Sequence, residues 1–424
     1  MQPCSARHAL VLHGFAALAV AGALSCSGSG ADPQTSATAP GSDAGTVTPD
    51  PTVPDPTPPA PPTPPAKTPP AFSGLGNGAV VSGPVALTAT VASGTAQVDF
   101  VLDGTTVATV TAAPFAATWD SFSVANGSHV FTLRALDGSG TALASDPVQV
   151  NVSNHIKTVF VILLENHDWS SIKGAASAPY INKTLLTQGA HAERYMNVPG
   201  LHPSLPNYLW LESGSKQGVS DDAEPASHKL GTTQHLVSLL AKAGVSWKSY
   251  QEDIPGTDCP LTAVNYYAPK HNPMVYFTDV TGNVDRNSAN CISHVRPYTE
   301  LTADLETNNV AAYNFITPNI CNDMHDCSIG TGDTWLSKEV PKILASKAYK
   351  EGGALFVTFD ESAGQDVPIG FIALSPLAKP GYSSSVTYTH SSTLRSVQEI
   401  FGVTPLLGDA ANATNLSDLF KSFP

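Results

Sequence analysis

The chain has 424 residues, which is enough for two or three domains of ordinary size. Only 13% of the residues are charged, and 21 basic against 35 acidic side chains give a formal net charge of −14. A nucleic-acid-binding protein needs a basic face to meet phosphates, so we expect no nucleic-acid partner.

An export signal is predicted in residues 1–26. Residues 9–24 are nearly all apolar and follow an arginine, as in a signal peptide, and this run is shorter than the ~18 residues of a membrane-spanning helix. Cys26 follows a small residue at the end of the run, which resembles a lipobox with Ala in place of the usual Leu. We therefore predict a lipoprotein signal, with lipidated Cys26 anchoring the exported chain to a membrane. Plain secretion after cleavage near Ala31 is the alternative.

A linker is predicted in residues 27–71, because more than half of the residues from 49 to 70 are proline. Such a segment cannot bury a core and is extended and semi-rigid.

Residues 72–153 are predicted to form an all-β domain. Short alternating runs are separated by Asp-Gly and Asn-Gly turn signals, which is typical of a sandwich. We predict strands at 85–91, 96–104, 105–110, 115–120, 128–138 and 148–153. This part of the chain resembles the bacterial immunoglobulin-like modules that are appended to secreted enzymes. The module could bind a carbohydrate or a surface, but we favour a spacer.

Residues 155–424 alternate between strand and helix patterns, which predicts an α/β domain with a mostly parallel sheet and helices on both faces. Continuous apolar runs predict buried strands at 158–164, 245–250, 311–316, 353–359 and 369–375. Helices are predicted at 233–244, 334–346 and 391–402.

Polar side chains follow four of the predicted strands. They lie at Glu165-Asn166, at Asp360-Glu361, at 322–326 and at 251–253. Binding sites in α/β sheets lie beyond the carboxyl ends of the strands, so these groups should meet at one edge. Converging carboxylates repel one another unless a cation lies between them, which predicts a divalent metal ion of unknown identity.

A candidate nucleophile, Ser204, lies in the segment HPSLPNYL with His202 and Asn207 close by. A serine hydroxyl needs a base or a metal to become a good nucleophile, and the predicted metal could serve. The chain has no G-x-S-x-G elbow, which disfavours an esterase of the α/β-hydrolase type.

Four cysteines follow Cys26, and an even number in an exported chain indicates two disulfides. Cys321 and Cys327 close a short loop, so we pair them and pair Cys259 with Cys291 by elimination. A metal–thiolate site is the less favoured alternative, because no C-x-x-C spacing is present.

Seven motifs occur in the same order as in a known family. They are VFVILLENHDWSSI, HPSLPNYLWLESG, KHNPMVYF, TPNICNDMHDC, GDTWL, FVTFDE and YTHSSTLRSVQEIFG. With them, residues 157–410 resemble the phosphoesterase family of bacterial acid phosphatases and phospholipase C-type enzymes, within the alkaline phosphatase-like superfamily. The resemblance implies an alkaline phosphatase-like sheet and a phosphoric ester hydrolase.

The resemblance also implies roles for individual residues. Ser204 matches the nucleophile, and His325 and His390 match histidines that contact the phosphate or protonate the leaving group. The metal-binding positions match Glu165, Asn166, Asp360 and Glu361. The expected substrate-binding residues are His202, Asn207, Asp323 and Asp326, of which the last two could also orient His325. His271 is a less favoured candidate for the site, because Pro273 and the aromatic residues of the same segment could serve only to shape the rim of the pocket.

The function expected from these residues is metal-assisted hydrolysis of phosphate monoesters, including phosphoinositides, through a phosphoserine. A phospholipase C-type phosphodiesterase is the main alternative, and a non-catalytic surface adhesin is a weaker one. We expect an exported or surface-anchored monomer whose partners are a phosphate-ester substrate and, through the anchor, a membrane.

Overall fold

The computed structural model describes residues 67–424. The predicted signal peptide, Cys26 and most of the proline-rich linker lie outside the described residues. The strands of the described chain, numbered in chain order, are β1 (Ala71–Ser73), β2 (Ala79–Val81), β3 (Pro84–Thr90), β4 (Thr95–Leu102), β5 (Thr105–Val110), β6 (Ala116–Asp120), β7 (Gly127–Asp137), β8 (Ala142–Ala144), β9 (Val148–Val152), β10 (Thr158–Leu164), β11 (Ala190–Met196), β12 (Trp247–Gln251), β13 (Val295–Pro297), β14 (Tyr313–Thr317), β15 (Gly353–Phe359), β16 (Phe371–Leu374) and β17 (Ser383–Thr389).

The α-helices of residues 67–424 all follow β10. They are α1 (Trp169–Ile172), α2 (Leu186–Gln188), α3 (Ser204–Ser213), α4 (Leu236–Lys242), α5 (Thr278–Thr281), α6 (Ala289–His294), α7 (Glu300–Glu306), α8 (Ile329–Ala345), α9 (Lys347–Lys350) and α10 (His390–Ile400).

The first nine strands form a β-sandwich. One sheet has the order β1-β3-β6, and the other has the order β2-β9-β7-β4-β5 with β8 paired to β7. Alternate side chains of β4, among them Val98, Phe100 and Leu102, enter a common core with Phe131 of β7. The immunoglobulin-like part of the predicted fold is confirmed.

The remaining strands form one sheet of eight in the order β13-β12-β14-β10-β15-β16-β11-β17. Only β16 runs antiparallel to its neighbours, β15 and β11, while every other neighbouring pair is parallel. The predicted mostly parallel α/β fold is therefore confirmed.

The central strand β10 explains why this sheet is covered on both sides. Every residue from Val159 to Leu164 is buried, although successive side chains point to opposite faces. Such a strand needs an apolar layer on each face, and the helices between the strands supply it. In the parallel pairing of β10 with β15, Leu164 lies opposite Phe359, so both strands end at the same level.

A 3₁₀ turn between β6 and β7 brings the sandwich into contact with the α/β domain. Phe122 in this turn is 3% exposed and belongs to the hydrophobic core of the α/β domain. Its carbonyl oxygen accepts a hydrogen bond from Lys421 Nζ at 3.4 Å, and the neighbouring Ser121 Oγ donates to buried Asn154 Oδ1 at 2.7 Å. The sandwich is thus packed directly against the α/β domain.

The structure contains two disulfides, which join Cys259 to Cys291 and Cys321 to Cys327, the pairs proposed from the sequence. Among residues 67–424, no helix has both the length and the apolar character needed to cross a membrane.

Candidate active site

The carboxyl ends of β10 and β15 place two pairs of polar residues side by side. Asp360 N–H donates to Leu164 O at 2.9 Å, which continues the ladder to the last residue of β10. Glu165 and Asn166 follow at once, and Asn166 N–H donates to Asp360 Oδ1 at 3.1 Å. Asn166 has a φ of 44°, in the left-handed region that Asn tolerates better than most residues.

Ser204 is the first residue of α3 and is 1% exposed. Its Oγ donates a hydrogen bond to Glu165 Oε2 at 3.1 Å. One turn later, the hydroxyl of Tyr208 donates to the other oxygen of Glu165. The start of α3 is held by Asp222, whose Oδ1 accepts from the Leu205 N–H at 3.0 Å. The predicted nucleophile therefore lies directly at the strand-end carboxylates.

His271 and His325 complete a group of three possible metal ligands with Glu165. One ligand atom from each of the three lies within 4.8 Å of the others. His271 is 1% exposed, with Nε2 at 3.3 Å from Glu165 Oε2 and Nδ1 at 3.3 Å from Asp323 Oδ2. Its ring stacks on Tyr208 at a centroid distance of 5.2 Å. His271, a less favoured candidate in the sequence, thus lies inside the site.

The loop closed by Cys321 and Cys327 carries His325. Asp323 Oδ1 accepts from the His325 N–H at 2.8 Å, and Asp326 Oδ1 lies 2.7 Å from His325 Nδ1. The Asp326 side chain is 51% exposed and the His325 side chain 28% exposed. Asp323 is instead fully buried beside His271. Both aspartates therefore hold histidines, and only Asp323 lies within the cluster.

Glu361 links two further predicted residues at the opening of the site. His202 Nδ1 lies 2.5 Å from Glu361 Oε2, and Asn207 Nδ2 donates to the same oxygen at 3.0 Å. The His202 side chain is 33% exposed, whereas Asn207 is fully buried. His202 is consequently the member of this group that solvent reaches.

Lys270 brings a positive charge to this end of the site. Its Nζ donates to Asp222 Oδ2 at 3.1 Å. Burial lowers the pKa of this lysine, but Asp222, Glu165 and Asp360 together outweigh burial and raise it. Lys270 therefore stays protonated next to the carboxylates.

His390, at the start of α10, is fully buried. Its Nε2 donates to the backbone carbonyl of Asp360 at 2.5 Å, and its Nδ1 lies 3.1 Å from the hydroxyl of Tyr195. Burial lowers the pKa of His390 to about 4, so the ring is neutral near neutral pH. Both ring nitrogens are engaged by the protein itself.

Four carboxyl groups form what we call the acid cluster: Glu165, Asp323, Asp360 and Glu361. Burial raises the pKa of Glu165 well above its ordinary value, and the Asp360 and Asp323 charges raise it further. Burial likewise raises the pKa of Asp323 to about 8 and those of Asp360 and Glu361 to about 7. The cluster therefore resists ionising fully unless positive charge is added.

Buried atoms without partners test whether a metal ion fits here. Within the described part of the chain, the oxygens Asn166 Oδ1, Asp323 Oδ2 and Asp360 Oδ2 have no hydrogen-bond partner, nor does His271 Nε2. Buried polar atoms are nearly always satisfied. Oxygen acceptors together with an imidazole nitrogen form a donor set that suits a divalent cation, so these residues fit one.

Comparison with known proteins agrees with this geometry. Residues 181–404 match the Phosphoesterase family, and residues 74–133 match a bacterial Ig domain. The chain belongs to the Phosphoesterase family. This membership makes it a phosphoric ester hydrolase, as the sequence motifs indicated.

The similar proteins include bacterial and fungal enzymes. The chain is 29% identical to a phosphatidylinositol-3-phosphatase of Mycobacterium tuberculosis over 62% of its own length and 82% of that protein. It is 30% identical to a phosphate-repressible acid phosphatase of Penicillium chrysogenum, over 63% of its own length and 64% of that protein. A probable acid phosphatase of Kluyveromyces lactis is 28% identical, and 64% of it is covered. The chain thus spans just under two thirds of each of these fungal relatives.

Two residues of the site, Tyr208 and Lys270, were missed in the sequence, and His271 was not favoured. Lys270 and His271 lie in a 3₁₀ turn, away from any predicted strand end. In the sequence, Tyr208 looks like one of the apolar positions of a helix. Its spacing of four residues from Ser204 was the signal available, because residues four apart share one face of a helix.

Proposed function

We propose that this protein is a phosphatase of the acid phosphatase type, which hydrolyses phosphate monoesters through a phosphoserine at Ser204. The observation that carries the proposal is the 3.1 Å hydrogen bond from Ser204 Oγ to Glu165 Oε2 inside the acid cluster. The names of the bacterial and fungal relatives support monoesters as the substrate class.

A divalent cation would be held by Glu165, His271 and His325, with the unpartnered oxygens of Asn166 and Asp360 beside them. When bound, it would offset the carboxylate and phosphate charges and lower the pKa of the serine hydroxyl. Glu361 was also predicted to bind the metal. We assign it instead to the opening of the site, because it pairs with His202 and Asn207.

In the first half of the reaction, Ser204 Oγ forms a bond to phosphorus while the ester P–O bond breaks. The hydroxyl proton leaves along the hydrogen bond to Glu165. His202, which Glu361 orients at the opening, gives a proton to the departing alkoxide. Lys270 stabilises the charge that builds up on the phosphate oxygens.

In the second half, water attacks the phosphoserine and the bond between phosphorus and Ser204 Oγ breaks. The water proton goes to His202, and Ser204 recovers its proton from Glu165, so both residues return to their starting forms. We assign His390 a positioning role, since its ring nitrogens bind Asp360 O and Tyr195.

We further propose that the chain is exported and anchored through lipidated Cys26. Two disulfides support an oxidising compartment. A membrane-anchored phosphatase would meet phosphoinositide headgroups directly, which links the anchor to the substrate class.

The decisive experiment concerns Ser204. Ser204→Ala removes the covalent route, so turnover of p-nitrophenyl phosphate should fall by ~10³-fold or more, while Ser204→Thr should keep part of it. Wild type quenched in acid during turnover should carry phosphate on the peptide that contains Ser204. Ser170→Ala, which changes an exposed serine of α1, is the matched control and should leave turnover unchanged.

Phosphate trapped on another residue, or near-normal turnover in the alanine variant, would remove Ser204 from the mechanism. Parallel assays with phosphatidylinositol 3-phosphate and phosphatidylcholine separate the two substrate classes. Faster cleavage of phosphatidylcholine would favour the phospholipase C-type diesterase.

A further inference from the structure

A second set of ionisable side chains, built around a buried histidine, lies at the far end of α3. Glu212, His235 and Asp279 form it, with the Asp279 side chain 30% exposed, and we call it the buried triad after its central residue. His235 Nδ1 lies 3.0 Å from Glu212 Oε1, and Nε2 lies 3.0 and 3.1 Å from the two oxygens of Asp279. The imidazole is fully buried and stacks on Phe277 at a centroid distance of 3.8 Å.

The geometry favours a charged imidazole. Ionised carboxylates only accept hydrogen bonds, so beside two of them both ring nitrogens of His235 act as donors. Burial lowers the pKa of His235, but the hydrogen bonds with Asp279 and Glu212 outweigh burial and raise it to about 9. The charged groups that face the ring are Glu212 from α3 and Asp279 from α5.

The triad is connected to the candidate active site through α3. Ser204, Tyr208 and Glu212 are spaced four residues apart, so they form a stripe along one buried face of the helix. The first two bind Glu165, and the third binds His235, about 12 Å further along the axis at 1.5 Å per residue. Glu212 Oε1 also accepts from the Val237 N–H at 2.8 Å, which ties α3 to α4.

We propose that the buried triad positions the nucleophile: His235 holds Glu212 and thereby sets the rotation and axial position of α3 that direct Ser204 at the acid cluster. The inference rests on the proposed role of Ser204. Glu212, His235 and Asp279 are positioning residues, because they act through the helix.

The first variant, Glu212→Gln, keeps a carbonyl oxygen for the Val237 N–H and for His235 but removes one negative charge. His235 should then lose its proton at lower pH. In wild type, a histidine whose pKa is raised by folding stabilises the fold fully below about pH 6.5, and this stability is lost as pH rises through about 9. The melting temperature of the variant and its rate constant of Ser204 phosphorylation should therefore both begin to fall at least one pH unit earlier than those of wild type.

The second variant, His235→Gln, has no positive charge and donates from a single nitrogen, so it cannot bridge the two carboxylates as the ring does. It tests positioning through the rate constant of Ser204 phosphorylation by p-nitrophenyl phosphate, measured by rapid acid quench. This rate constant does not depend on the fraction of active molecules, so a loss of folded protein would not lower it. We expect a fall of at least tenfold, with KM within twofold of wild type. His129→Gln, which breaks a histidine–carboxylate pair with Asp103 in the β-sandwich, is the control and should change neither.

Each outcome of these experiments supports or overturns the positioning role of the triad. A folded His235→Gln variant that phosphorylates at the wild-type rate would overturn the inference. If that variant fails to fold, an unshifted pH profile of the phosphorylation rate constant in Glu212→Gln overturns the inference, and the predicted shift supports it. A wild type that forms no phosphoserine would overturn the proposed nucleophile as well, so the two failures are distinguishable.

Discussion

The Glu165 carboxylate is the side chain on which the candidate site converges. Its two oxygens accept hydrogen bonds from Ser204 and Tyr208, and one of them lies 3.3 Å from His271 Nε2. A buried carboxylate with so many partners can bring a nucleophile and a cation to the same place. Changes at this residue should therefore affect metal binding and chemistry together.

Glu165→Gln and His271→Ala test the metal at this scale. Each removes a charge or a donor atom of the proposed metal site, so metal content after dialysis should fall, and turnover should drop by more than about 100-fold, since loss of outer partners alone typically costs 10–100-fold. Elemental analysis and steady-state kinetics measure the two effects. Glu351→Gln, at a half-exposed carboxylate in the turn after α9, is the control. A metal-stripped wild type with full activity would show that the cluster works by proton transfer alone.

The site residues that could be predicted from the sequence are those that directly follow a buried strand. Glu165 and Asp360 could be placed together because parallel strands end at a common edge. His271 could not, since its place depends on how a 3₁₀ turn packs against Tyr208 of a distant helix. The roles of these residues remain predictions until the variants are measured.

The loop between Cys321 and Cys327 is the element that presents His325 to the site. It is held on the other side by Glu252, which accepts hydrogen bonds from Asn319 N–H at 2.8 Å and from Asn322 Nδ2 at 2.9 Å. Behind the loop, Gly332 of α8 leaves room for Met324, because a Cβ there would lie 2.4 Å from Met324 Cγ. The loop is thus braced by a disulfide, a carboxylate and a close helix contact.

The two disulfides should differ in effect. In the loop-entropy model, the Cys321–Cys327 bridge with a separation of 6 contributes about 2 kcal/mol, against about 4 kcal/mol for Cys259–Cys291 with a separation of 32. Cys327→Ser should consequently lower turnover strongly and the free energy of unfolding only slightly. Cys291→Ser should lower the free energy of unfolding strongly and turnover only slightly. Activity assays and urea unfolding of both variants check this. Full activity in Cys327→Ser, with the bridge shown to be absent by mass spectrometry, would contradict it.

Elements were predictable where burial makes the pattern strong. The predicted strands at 158–164 and 353–359 coincide with β10 and β15, both continuous apolar runs. β11 and β17 were missed, because AHAERYM and SSSVTYT carry charged or small polar residues. These two strands pair with each other near the edge of the sheet. Such a pairing between distant segments cannot be predicted from the sequence of either strand alone.

At the scale of the whole molecule, the contact of the β-sandwich with the α/β domain bears on the preferred interpretation of the module as a spacer. A spacer needs no shared core, whereas Phe122 lies in the core of the α/β domain. We therefore expect the module to contribute to stability, while the candidate active-site residues all follow residue 164.

Phe122→Ala tests this contribution. Replacing a buried phenylalanine by alanine costs about 3–5 kcal/mol, so the variant should unfold at clearly lower urea concentration. Turnover per folded molecule should stay near normal, because the site lies in other elements. Val130→Ala, at a side chain of the sandwich that is 40% exposed, should change stability by less than about 0.5 kcal/mol. Equal stability of the two variants would show that the sandwich is an independent spacer after all.

The hydrogen bond between Lys421 and Phe122 joins residues that lie 299 positions apart in the chain. During synthesis, the sandwich emerges long before Lys421 exists. A chain that stops short of this lysine therefore presents the Phe122 turn without its partner, even though the sandwich and the strand-end acids are already made. The Phe122 ring belongs to the core of the α/β domain, so it is buried only once that domain has folded, and the sandwich reaches its full stability only when the chain is complete.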